Sequence, residues 1–141
     1  MAFNDEIERV KTSPGLRKAR SLGPIPTITG RISDFVLSLH NLGDLFVPFH
    51  HEVAYAQDVE RWGRSDLLVQ RAIRGVSHCG STPIELVTAF SDLVTWVEDG
   101  VKPEGDVVLD PATVADAEYG CRFIDFATPG GHVLATPCPT G

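Results

Sequence analysis

The sequence predicts an α/β fold: parallel strands with flanking helices, followed by an irregular, β-like C-terminal tail. Three observations predict it. Two short and nearly continuous apolar runs, Phe35–His40 and Leu67–Ile73, read as strands covered on both faces. Each is followed by apolar residues at three- to four-residue spacing, the period of a helix. The order strand–helix–strand–helix, with short connections, belongs to a parallel sheet, whose strands need crossovers.

Residues 1–24 read as a polar helix and a loop, punctuated by Pro14-Gly15 and Gly23-Pro24. Ile25–Ile32 is β-branched but interrupted by Pro26 and Gly30, so it makes at best a weak strand. The strand Phe35–His40 ends in a turn signal, Asn41-Leu42-Gly43-Asp44. A helix follows from His50 to Trp62, with Val53, Ala56, Val59 and Trp62 in register and Gly63 as its stop. After Leu67–Ile73, Thr82-Pro83-Ile84-Glu85 is a helix start. Threonine caps, proline takes the first turn where its missing N–H costs nothing, and glutamate completes a capping box. Val87, Phe90, Val94 and Val97 line one face of that helix, and Gly100 ends it. Beyond Lys102, proline and glycine break the chain into short β-like pieces such as Arg122-Phe123-Ile124. The organisation is therefore an N-terminal segment (1–24), an α/β segment (25–103) and a Gly/Pro-rich appendage (104–141).

Composition excludes some classes of function. The 141 residues carry a net charge of −7, and the loose basic group Lys11, Arg17, Lys18 and Arg20 is offset by Asp5, Glu6 and Glu8. Nucleic-acid binding needs a concentrated positive field, and this chain has none. No run approaches the roughly 18 apolar residues of a membrane span. The opening residues are acidic and amphipathic, unlike a signal peptide. This suits a cytoplasmic protein as the chain stands, and a secreted one if an upstream part precedes it. Cys79, Cys121 and Cys138 match no zinc spacing, and Cys121 with Cys138 is expected to pair in an oxidising compartment.

Two loops place ionisable side chains just beyond the C-terminal ends of the predicted strands, where open α/β sheets keep their sites. One carries Gly43-Asp44-Leu45-Phe46-Val47-Pro48 and the other Gly75-Val76-Ser77-His78-Cys79. One strand–helix–strand unit separates Asp44 from His78, so adjacent parallel strands about 4.8 Å apart can bring them together.

These loops carry a resemblance. His40-Asn41-Leu42-Gly43-Asp44-Leu45-Phe46-Val47-Pro48 resembles the H-x-x-G-D-x-x-V-P acid loop of α/β-hydrolase enzymes. Leu68-Val69-Gln70-Arg71 with Gly75-Val76-Ser77-His78-Cys79 resembles the strand and G-x-G-H-C histidine loop of bacterial members. Trp96-Val97-Glu98-Asp99-Gly100-Val101-Lys102-Pro103 is similar to their closing W-V-x-x-G-x-x-P. The resemblance covers residues 25–103. It implies the C-terminal portion of an α/β-hydrolase-fold serine esterase, with a partial hydrolase sheet, Asp44 as the acid and His78 as the base. It implies no cofactor and no metal. Its partners would be the ester in the complete enzyme, and a partner chain or second copy along an exposed sheet edge.

The nucleophile motif Gly-x-Ser-x-Gly is absent. In Gly75-Val76-Ser77-His78-Cys79 a cysteine replaces the second glycine, and Gly63-Arg64-Ser65-Asp66-Leu67 precedes a strand instead of following one. The chain is therefore expected to be inactive by itself. Two functions compete: a piece of a carboxylic-ester hydrolase, and a non-catalytic binding or assembly module on a hydrolase-derived scaffold. Other candidates read more simply. His50-His51-Glu52 point too far apart on a helix to close on one ion. His40, Trp62 and Trp96 read as packing residues, and Cys79 as a small buried one.

Overall fold

The computed structural model describes residues 28–128 together with Gly15, His132 and Cys138. The segment expected over 1–24 therefore lies outside the described residues, apart from Gly15. So do the first three residues of the weak strand expected at 25–32, and its remainder, 28–32, is irregular.

The chain is mixed α/β. Strand β1 (Val36–Asn41), helix α1 (His50–Arg61), strand β2 (Leu68–Ile73) and helix α2 (Pro83–Asp99) follow in that order, and a short helix α3 (Pro111–Val114) lies in the tail. β1 and β2 pair in parallel, from Val36 opposite Leu68 to Asn41 opposite Ile73. Side chains alternate across this sheet. Ser38 and Gln70 both donate to the Glu52 carboxylate of α1 on one face, at 2.6 and 2.5 Å. Arg71 reaches Asp92 of α2 on the other face, at 2.6 Å. The sheet is thus sandwiched between the two helices. Its core is small: Ala56 and Val59 of α1, Val69, Ala72 and Ile73 of β2, and Ala89 and Trp96 of α2. Trp96 stacks on Phe35 with ring centroids 4.4 Å apart, a geometry that contributes about 0.5–1.5 kcal/mol beyond buried area.

The start of α2 forms as its sequence dictates. Thr82 Oγ1 accepts from the Glu85 N–H and the Glu85 carboxylate accepts from the Thr82 N–H, with Pro83 in the first turn. Gly100 closes the helix in the left-handed conformation (φ 71°), which costs glycine no Cβ clash.

Three expectations need correction. The apolar stripe of α2 is not its packed face: Val87, Phe90 and Val97 are 65, 67 and 60 % exposed, while Glu85, Ala89 and Trp96 are buried. Periodicity identifies the helix but not the stripe that packs, which here is set by the Glu85 hydrogen bonds, the Arg71–Asp92 pair and the Phe35–Trp96 stack. Strand β1 is half-buried along most of its length rather than covered on both faces. Among the described residues no strand pairs with its outer edge.

The described part of the tail, residues 104–128, is not β-like either. Among its described residues there is no strand, and it covers the outer edge of β2 by other means. The Asp106 N–H donates to the Gln70 carbonyl at 2.7 Å, and the Ala72 N–H donates to the Asp106 carboxylate at 2.8 Å. A side-chain oxygen thus stands where a neighbouring strand would offer a carbonyl, so the ladder cannot propagate. Burial raises the Asp106 carboxyl above its usual value, against the opposing pull of the Ala72 N–H and of Arg122 and Arg71. Further on, the Arg74 N–H donates to the Gly120 carbonyl, and Cys121 is disulfide-bonded to Cys138.

Candidate functional site

Both candidate loops leave the same end of the sheet because the strands are parallel. Past the last strand pair the backbones stay joined: the Leu42 N–H donates to the Ile73 carbonyl and the Gly43 N–H to the Gly75 carbonyl, both at 2.8 Å. A side chain at position 43 would bring a Cβ within 2.9 Å of the Val76 backbone, so glycine permits the two loops to touch.

Asp44 is fixed by its own turn. Its Oδ1 accepts from the N–H groups of Phe46 (2.8 Å) and Val47 (3.0 Å), which is how an aspartate organises the residues after it. That leaves Oδ2 directed outward, 2.6 Å from His78 Nδ1. Burial works against charge on Asp44, but the Val47 N–H, the His78 ring and the Phe46 N–H outweigh it and hold the carboxyl at about 2, against an ordinary 3.8. An ionised carboxylate only accepts. His78 Nδ1 must therefore carry the proton of this hydrogen bond, and in the neutral ring Nε2 is then the bare, basic nitrogen.

The Asp44 side chain is 6 % exposed and that of His78 is 46 % exposed, so the anion is enclosed and the imidazole is open to an incoming group. Phe46 lies edge-on to the His78 ring at 5.8 Å. Together with Leu45 it forms a bare apolar lip, the two being 82 and 88 % exposed. Two cavities lie elsewhere. One of about 310 Å³ is lined by Val69, Asp106 and their neighbours, and another of about 460 Å³ by Leu39, Arg71 and Phe123. Neither borders Asp44 or His78.

Ser77, adjacent to the histidine, does not complete a nucleophile. Its Oγ lies over Gly80, 1.9 Å from where a Cβ would stand there, and it makes no hydrogen bond to His78 among the described residues. Cys79 is exposed rather than buried, and its backbone takes the left-handed conformation (φ 53°). The His50 and His51 rings lie 4.2 Å apart at the start of α1, both exposed. Among the described residues no group of three or more His, Cys, Asp or Glu could hold a metal ion, and no helix is long and apolar enough to cross a membrane. Trp96 is a buried anchor, whereas Trp62 is half-exposed beneath the Arg31 guanidinium, 3.8 Å from its ring centre. His40 packs edge-on against Phe49.

A second acid–histidine pair is invisible to sequence reasoning. The Glu85 carboxylate receives His132 Nε2 at 2.8 Å, with both side chains buried, as well as the Asp125 N–H at 2.7 Å. Glu85 reads from the sequence only as a helix cap, and no local signal announces a partner so far along the chain. Comparison with protein-family models, curated proteins and solved structures found no match to this chain.

Proposed function

We propose that this chain is the C-terminal portion of an α/β-hydrolase-type serine esterase, supplying the acid and the base of its catalytic triad. The observation that carries the reading is the 2.6 Å contact between Asp44 Oδ2 and His78 Nδ1, made by two loops at the C-terminal end of adjacent parallel strands. In this role Asp44 holds the Nδ1–H tautomer and stabilises the imidazolium that forms. His78 Nε2 takes the proton of a serine hydroxyl as it attacks the ester carbonyl, returns it to the departing alcohol, and then activates water against the acyl-enzyme. The serine and the oxyanion donors come from another stretch of polypeptide, which would cover the open face of His78. The edge of β1 that no described strand pairs with and the exposed stripe of α2 suit the same arrangement, since both are surfaces that a larger sheet and its helices cover.

The absent nucleophile favours a second reading, a binding or assembly module that keeps the scaffold without the chemistry. One experiment separates them. The chain is expressed with the coding sequence immediately upstream of it, and the product is treated with a fluorophosphonate that labels activated serines. The esterase reading expects a labelled serine in Gly-x-Ser-x-Gly whose labelling falls at least about 10³-fold on His78→Ala, as removal of a triad member requires. Labelling that is absent, or indifferent to His78→Ala, favours the module.

A further inference from the structure

We propose that Asn41 is the positioning residue of the His78 loop: its carboxamide sets where the imidazole stands beside Asp44. The inference deepens the acid–base reading and takes its functional meaning from it.

The need for such a residue follows from where the ladder stops. After the Gly43–Gly75 bond, the chain from Val76 to Ser81 makes no backbone–backbone hydrogen bond among the described residues. Two side chains hold this stretch instead. Asp44 takes the His78 ring, and Asn41 Nδ2 donates to the Ser77 carbonyl at 2.7 Å, at the peptide immediately before His78. The ring contact alone leaves the backbone beneath it free to pivot. The Ser77 bond removes that freedom at the closest possible peptide.

The surroundings of Asn41 are built around its amide. It is the last residue of β1 and is 4 % exposed. Gly75 packs directly on it: a Cβ at that position would stand 2.7 Å from Asn41 Oδ1 and 2.8 Å from His132 Nδ1. The loop therefore rests on the carboxamide at one point and on the Glu85-anchored His132 at another. Among the described residues Asn41 Oδ1 is buried without a hydrogen-bond partner, an arrangement that costs stability. A strand end serving packing alone is better filled by an apolar residue. The amide is accounted for by what its nitrogen does, and aspartate, which lacks a donor, does not replace it.

The test is proton NMR of the intact chain, reading the downfield resonance of the His78 Nδ1–H that is shared with Asp44. Asn41→Asp and Asn41→Ser are compared with Gln70→Leu, which removes an equally buried amide on the α1 face of the sheet, away from the loop. Below each variant's melting transition, the resonance is expected to vanish or broaden in both Asn41 variants and to persist in Gln70→Leu. Persistence of the signal in a folded Asn41 variant overturns the proposal, because a residue that merely supports the fold would behave that way. If neither Asn41 variant folds, exchange of the Asn41 side-chain amide protons in the wild type decides the matter. Protection of one proton upholds the bond to Ser77, and rapid exchange of both refutes it. Absence of the downfield resonance in the wild type is a separate outcome, which removes the acid–histidine reading itself.

Discussion

Replacing Glu85 with alanine should cost far more stability than a surface helix residue warrants. The carboxylate is buried and accepts from three donors: the Thr82 N–H, the Asp125 N–H and His132 Nε2. Alanine satisfies none of them. A buried donor left unpaired costs about 1–3 kcal/mol. Some relief comes from water entering the space left by the side chain, so the loss is set at about 3–5 kcal/mol. Thr82→Ala offers an internal scale. It removes one cap acceptor, and with it the bond from Thr82 Oγ1 to Asp125, for about 1 kcal/mol. Urea unfolding of the three proteins, followed by circular dichroism, should place the Glu85→Ala midpoint well below that of Thr82→Ala at similar slope. A Glu85→Ala loss no greater than that of Thr82→Ala would refute the view that this carboxylate joins the start of α2 to the tail.

Three further outcomes follow. Asp44 has a folded-state carboxyl at about 2, below its ordinary 3.8. Its contribution to stability is therefore complete above about pH 4 and is lost as pH falls through about 2. The gap in melting temperature between wild type and Asp44→Asn should stay constant down to about pH 4 and close below it; a gap unchanged at pH 2 contradicts this. Breaking the disulfide between Cys121 and Cys138, which are 17 residues apart, should lower stability by about 3 kcal/mol through the loop entropy released in the unfolded chain, read as a drop in melting temperature on adding a dithiol to wild type but not to Cys138→Ser. Phe90→Ser, at a position 67 % exposed, should change stability by no more than about 0.5 kcal/mol while reducing the binding of a hydrophobic dye; a large loss of stability means that the α2 stripe is covered.

The parts of the fold legible in the sequence are those fixed by near neighbours. Thr82-Pro83-Ile84-Glu85 specifies a helix start within four residues, and Gly100 specifies its end, so α2 forms where expected. The approach of Asp44 to His78 is legible for a related reason. Parallel pairing puts both strand ends on one side, and Gly43 lets the loops touch. The packed stripe of α2 is not legible, because Ala89 lies only about 100° around the helix from Phe90 and the sheet, not the apolar spacing, decides which stripe turns inward. Asp106 gives no hint in sequence that its carboxylate will take the acceptor's place at the edge of β2. His132 lies in a Gly/Pro-rich stretch whose sequence carries no periodicity to place it, and Asn41 reads as an ordinary turn residue until the Ser77 carbonyl is seen against it.

The central claim, that Asp44 holds His78 in the tautomer that leaves Nε2 as a base, is tested most directly by nitrogen-15 NMR of histidine-labelled protein near pH 8. The account expects the His78 signals of a ring protonated at Nδ1 and bare at Nε2, changing toward a mixture of tautomers in Asp44→Ala. A wild-type His78 protonated mainly at Nε2, or one indifferent to Asp44→Ala, contradicts it.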